Sequence, residues 1–395
     1  MSFGPRSLAA DDVLAGARPA TRALGLYLHV PFCAYRCHYC AFNTAPLGDA
    51  AGTARFVAAL RREIDGLGDL PWARDVMIAT MFFGGGTPST LAAGEIAAIL
   101  DTVRARFTVA AAPEITVECN PESVDRARLE GYRAAGVSRI SLGVQALDDA
   151  ILATLGRRHG AREAADAFAA CREAGVDNVS VDVMFGLPGL DLATWTRGVE
   201  TILGWEPEHV SSYGLSLDPG SLWGATGIAG LPPEDTVVAQ YRALAARAAA
   251  HGFEHYEISN HARPGRRSRH NLNYWRRGEY LAAGPGAAGF LGDLRYTNVK
   301  PLARYCALAE GGRLPVGEHE ILTPRQALGE RLILGLRTAD GVPAAWLDER
   351  AAGEAALARR LDDWRARGLL LAAGDRARLS EEGFLLSDAL FVELL

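Results

Sequence analysis

The chain has 395 residues, 49% of them apolar, enough to bury a large core in two or three domains at about 150 residues each. Charged residues make up 22%, and 41 basic against 47 acidic side chains leave a net charge of -6. That balance excludes a disordered chain and a global basic field for nucleic acid. No run of 18 apolar residues occurs, so no membrane-spanning segment is expected. Residues 1–20 carry Pro, Asp and Arg without the apolar stretch of a signal peptide, and a cytoplasmic location is expected.

Apolar runs alternate with helical patterns from about residue 24 to 217. The strand candidates are Gly25–Val30, Val76–Phe83, Glu114–Glu118, Arg139–Leu142, Val179–Phe185 and His209–Leu215. They are continuous runs, as in a parallel sheet covered on both faces. Amphipathic stretches lie between them: Ala54–Leu67, Glu95–Phe107, Asp125–Ala135, Ala161–Ala174 and Leu192–Leu203. Repeated β-α units predict a barrel or an open doubly wound sheet. A Pro/Gly-rich link (Asp218–Pro233), a helix to about His251 and a short strand at His255–Ile258 follow, and residues 262–290 read as an ordered loop rich in Gly, Arg and aromatics.

From Leu322 the pattern predicts helices at Pro324–Arg337, Pro343–Glu349 and Glu354–Arg367, then a hairpin turning at Gly374–Asp375 and a last helix. Three helices and a wing suggest a winged-helix-like module. Residues 321–395 hold 10 arginines against 12 acids, which favours structural packing over DNA binding. The expected division is an extension (1–22), a barrel (23–232), a linking region (233–320) and the C-terminal module (321–395).

Residue usage excludes more. Lys300 is the single lysine, against 40 arginines, and no Gly-Lys-Ser/Thr occurs, so there is no P-loop. A pyridoxal Schiff base would have to use Lys300, which nothing around it recommends.

The six cysteines are Cys33, Cys37, Cys40, Cys119, Cys171 and Cys306, and three of them crowd into eight residues directly after the first strand. Disulfides are not expected in a chain without a secretory signal. Thiolates spaced C-x3-C-x2-C on a short loop can wrap one corner of a cube and ligate three irons, leaving the fourth open. A zinc site would need a fourth closed ligand, His29 or His38, and usually shows two separated C-x2-C halves. Iron–sulfur is the favoured reading.

Cys33, Cys37 and Cys40 with Tyr39 resemble the CxxxCxxC signature of radical S-adenosylmethionine (SAM) proteins. The resemblance extends from residue 25 to about 390 and implies a partial (β/α)6 TIM-like barrel with a mostly α C-terminal module. In that family the open iron binds the amino and carboxylate groups of SAM, and an electron from the cluster cleaves the sulfonium to a 5′-deoxyadenosyl radical. The resemblance carries Tyr27 and the glycine loop Gly85, Gly86 and Thr87 over as cofactor-binding. A glycine triplet also suits a tight turn, but it permits close backbone approach to a ligand. Glu118, Gln145, Arg157 and Asp182 match further SAM positions, all at or just after the C-terminal ends of predicted strands, where barrel sites lie. Alternation turns Cys119 away from Glu118, so Cys119 is expected to pack.

Within that superfamily, Gly143–Leu147, Asp182–Gly189 and the C-terminal module resemble oxygen-independent coproporphyrinogen III oxidases and the related HemW haem chaperones. The oxidases carry a fourth cysteine where this chain has Phe42, and a longer arm before the cluster. Arg269-His270-Asn271-Leu272-Asn273-Tyr274-Trp275 matches the HNxxYW motif that resemblance associates with haem binding. His270 could ligate iron, Tyr274 and Trp275 offer flat faces, and six arginines between Arg263 and Arg277 could meet propionates. A solvated arginine loop, or an RNA contact, is the alternative for that segment. The expected function is a haem carrier that passes haem to an acceptor protein, with an electron donor for the cluster and SAM gating transfer. The alternative is oxidative decarboxylation of porphyrinogen propionates.

Overall fold

In the computed structural model, which describes residues 10–394, six strands stand side by side in chain order. They are β1 (Ala23–Val30), β2 (Met77–Gly85), β3 (Thr108–Cys119), β4 (Arg139–Gln145), β5 (Val179–Phe185) and β6 (His209–Gly214), each parallel to the next. β4 is buried at every position, as a strand covered on both faces must be. The crossover helices are α1 (Ala50–Gly68), α2 (Ala93–Arg106), α3 (Arg126–Ala135), α4 (Ala161–Glu173) and α5 (Leu192–Gly204). An aspartate opens three of them: Asp49, Asp125 and Asp191 accept hydrogen bonds from the Gly52, Arg128 and Thr194 amides at 2.7–2.8 Å.

Residues 233–320, expected to link barrel and module through one helix, one short strand and a loop, also extend the sheet at both edges. After α6 (Glu234–Ala250), the hairpin β7 (Glu254–Glu257) and β8 (Asn260–Ala262) adds antiparallel to β6. At the other edge β9 (Tyr280–Ala283) adds parallel to β1, followed by the antiparallel strands β10 (Ala288–Leu291), β11 (Leu294–Asn298) and β12 (Val316–Ile321). The sheet therefore has 12 strands in the order β12-β11-β10-β9-β1-β2-β3-β4-β5-β6-β8-β7. Pairing across hundreds of residues hides such short strands from periodicity. Between β8 and β9 the expected loop contains a helix, α7 (Arg269–Trp275), which opens on Ser268.

The C-terminal module has its own buried cluster, from Leu332 to Leu394, separate from the barrel core. It holds α8 (Pro324–Leu336), α9 (Ala344–Ala351), α10 (Ala355–Ala366) and a hairpin of Leu370–Ala373 with Arg376–Leu379, onto which Val342–Pro343 pairs as a third strand. Backbone bonds fasten it to β7: Ile258 N to Arg337 O at 3.0 Å and Ala339 N to Tyr256 O at 2.9 Å. No helix among the described residues is long and apolar enough to cross a membrane.

Candidate cluster and cofactor site

The loop leaving β1 carries Cys33, Cys37 and Cys40, and the loop leaving β2 carries Gly85, Gly86 and Thr87. Backbone bonds lock the two together: Gly86 N to Val30 O at 2.8 Å and Thr87 N to Phe32 O at 2.7 Å. A Cβ on Gly86 would lie 2.6 Å from Pro31 O, and one on Gly85 would lie 2.5 Å from the His29 ring, where φ is already +113°. Glycine is required at both places because the chains cross in contact.

These loops and the ends of β3, β4, β5 and β6 surround one cavity of about 430 Å³. The three cysteines line it together with Gly85, Gly86, Thr87, Glu118, Gln145, Arg157 and Asp182. Two expected cofactor residues are absent from this lining. Tyr27 sits deeper, its hydroxyl 3.1 Å from His29 Nδ1 and its ring stacked on Phe82 at 6.4 Å. Burial, with Glu118 nearby, holds its phenol protonated.

His270, the expected haem ligand, is the second residue away from the cavity. It is fully buried inside the barrel, with Nδ1 2.7 Å from Thr80 Oγ1 and Nε2 2.7 Å from the Tyr274 hydroxyl. Both ring nitrogens are committed, and burial lowers its pKa to about 3, so the ring is neutral. Glu114 accepts from the Arg269 and His270 amides at 3.0 and 2.9 Å, seating α7 as a plug in the barrel. Three of the six arginines expected to meet propionates are held in ion pairs. Arg267 pairs with Glu254 and Asp340, Arg276 with Asp340, and Arg277 with Asp293 and Glu330. The motif is a piece of barrel and module packing.

The cavity residues form a connected network. Arg157 donates to Asn120 Oδ1 at 2.9 Å and to Gly143 O at 3.2 Å. Asn120 donates to Thr87 Oγ1 at 3.3 Å, and the Thr87 hydroxyl points at Cys33 Sγ at 3.5 Å. Asn120 was not among the expected site residues, although it follows Glu118 by two positions. Glu118 accepts from Gly85 N at 3.2 Å, and its pKa rises to about 8, by burial first and by Asp182 second. The Asp182 pKa is also raised, by burial, against hydrogen bonds including one that the Ser141 hydroxyl shares between the two carboxyl oxygens at 2.9 and 3.1 Å. Gln145 closes β4 in a left-handed conformation (φ 68°), with Ala146 N bonded back to Val144 O. Such a turn stores about 1–3 kcal/mol and is typical of functional sites.

The residues present suit an iron–sulfur cluster and SAM. Three free thiols face one cavity, two glycines leave backbone open at its wall, and Arg157 Nε is buried without a partner. Of the two histidines a zinc site could draw on, His29 has both ring nitrogens engaged, Nδ1 with the Tyr27 hydroxyl at 3.1 Å and Nε2 with Asn43 O at 2.8 Å, and neither histidine lines the cavity. Cys119, Cys171 and Cys306 are buried.

The Radical SAM superfamily profile matches residues 27–199. The chain is 38% identical over 381 residues to "Heme chaperone HemW" of Mycobacterium tuberculosis (strain CDC 1551 / Oshkosh), covering 94% of each. It is 33% identical over 372 residues to "Heme chaperone HemW" of Bacillus subtilis (strain 168), covering 92% of this chain and 97% of the relative. Among solved structures, the coproporphyrinogen III oxidase HemN from Escherichia coli superposes with a TM-score of 0.84 at 21% identity, covering 99% of this chain and 93% of that one. That likeness is one of fold, the partial parallel barrel. The chain belongs to the HemW family of the radical SAM superfamily.

Proposed function

We propose that this protein binds haem in the reducing cytoplasm and hands it to an acceptor protein, with a [4Fe–4S] cluster on Cys33, Cys37 and Cys40 and SAM in the cavity beside it. When bound, cluster and SAM supply one-electron chemistry from an external donor. Glu118, Gln145, Arg157, Asp182 and the Gly85–Thr87 backbone hold the cofactor. The observation that carries the reading is the pairing of this complete cavity with Phe42. Two residues after Cys40, where the oxidases carry a fourth cysteine, stands a phenyl ring that is 68% exposed. Relatives named haem chaperones matched over nearly the whole chain favour the carrier over the oxidase.

Anaerobic reconstitution followed by two titrations tests the proposal. Haem should bind with a defined stoichiometry and pass to an apo-haemoprotein. Coproporphyrinogen with SAM and reductant should release no CO2 above background. Decarboxylation without haem binding would transfer the function to the oxidase class.

A further inference from the structure

Ten large apolar side chains among the described residues are exposed, and seven of them lie between the C-terminal ends of β1, β5 and β6 and the start of the long helix that follows each. Phe42 is 68% exposed, Leu222 52%, Tyr213 44% and Leu217 40%. The loops that carry them abut. Trp223 N donates to His38 O at 3.0 Å, Arg36 Nη2 donates to Gly220 O at 2.9 Å, and a Cβ on Gly220 would lie 3.4 Å from Ala41 Cβ. Phe42 and Tyr213 line the same cavity as the thiols and carboxylates. Apolar side chains gathered in water around one opening mark a surface that is covered in use.

The interior, about 430 Å³, is already committed to cluster and cofactor, so a macrocycle has to lie across the opening instead. No histidine lines the cavity. His29, His159, His209 and His270 each have both ring nitrogens engaged, and His38 turns Nδ1 to the Thr154 carbonyl. The chemistry on offer is flat apolar contact plus one anchored cation. Arg36 is held at the patch by Gly220 O and suits a carboxylate. The neighbouring Asp218 carboxylate is turned to the Gly220 amide at 2.8 Å.

We infer that the tetrapyrrole cargo lies across the barrel opening, its face on Phe42, Leu217 and Leu222 and its carboxylate edge beside Arg36, with no histidine on its iron. This rests on the haem reading above. The ring is gripped as a flat apolar body with an anionic rim, and iron adds little to the hold. A seat of this kind suits a carrier, because release breaks no coordinate bond to the protein.

The experiment uses the full chain with its cluster reconstituted, titrated separately with haem and with metal-free protoporphyrin IX while Trp fluorescence is followed. The two dissociation constants should agree within about threefold, and Phe42→Ser with Leu217→Ser should weaken both by about tenfold or more at unchanged cluster iron. Arg36→Gln should weaken both as well. All three positions are exposed, so folding is preserved. Haem binding tenfold or more tighter than the metal-free ring would show iron ligation and overturn the proposal. Unchanged affinity in Phe42→Ser/Leu217→Ser and in Phe42→Ser/Leu222→Ser would also overturn it and give the patch to a protein partner. If the unmodified chain binds neither ring, the haem reading itself falls, a result distinct from both.

Discussion

Inside the barrel, Nδ1 of His270 lies 2.7 Å from the hydroxyl oxygen of Thr80, a residue 190 positions earlier in the chain. The imidazole also stacks on Phe82 at 5.3 Å, which in turn stacks on Tyr27. His270 therefore joins α7 to the strands beneath the cofactor cavity.

His270→Ala should accordingly act on stability. It opens a void and leaves the buried Thr80 and Tyr274 hydroxyls short of a partner, a combined cost of about 2–5 kcal/mol. Thermal unfolding should show a clear fall in Tm, while the haem absorption band of the folded fraction stays in place. A displaced band with an unchanged Tm would restore His270 as the iron ligand.

Cluster iron should depend on Cys33, Cys37 and Cys40 alone. Replacing any of the three by Ala removes one of three protein ligands that line the cavity together, and most of the iron should be lost on desalting. Cys119→Ala, Cys171→Ala and Cys306→Ala leave the cavity thiols intact, so iron per chain should match the unmodified protein. Iron analysis and the charge-transfer absorption of the cluster read both outcomes.

SAM affinity should respond to the glycine loop and to Glu118 in different ways. Gly86→Ala forces a methyl against Pro31 O, so the two loops separate and both iron retention and SAM binding should fall. Glu118→Ala removes one carboxyl group and should weaken SAM by about fivefold to a hundredfold while iron is kept, the loss of a buried hydrogen bond worth about 1–3 kcal/mol. Calorimetry giving equal affinities in Glu118→Ala, Asp182→Ala and the unmodified protein would remove SAM from these strand ends.

Glu63 makes stability pH-dependent. It is buried among the Tyr305 hydroxyl, the Asn298 amide and the Gly284 N–H, and burial raises its pKa to about 7. Unfolded, the carboxyl titrates near its ordinary value of 4.5. Between those values the folded state holds a proton that the unfolded state has released, so stability falls as pH rises from 4.5 to about 7 and then levels. Denaturant melts at pH 5 and pH 7.5 should show the difference. Glu63→Gln should reduce this pH dependence to the part that Glu118 and Asp182, also raised, contribute, at a cost of about 1–3 kcal/mol, because its amide meets donors. A slope of equal size in Glu63→Gln would assign the effect to another group.

The sequence by itself determined the cysteine loop, the glycine loop and the parallel strands with their acid- or amide-bearing ends. Each of these is a short-range relation. Three thiols within eight residues can reach one cluster whatever surrounds them, and a strand that ends at Glu118 or Asp182 carries its carboxylate to the same end of the barrel. The tertiary structure alone decided the rest. The arginines and aromatics around His270 read as a binding loop because local composition says nothing about what packs against them. Glu114, Thr80 and the C-terminal acids supply those partners from far along the chain and turn the segment into a plug. Leu217 and Leu222 are unremarkable in sequence, where Phe42 is notable only for replacing a cysteine, and only the meeting of the first and sixth strand-end loops brings the three to the same opening, since burial depends on neighbours in space.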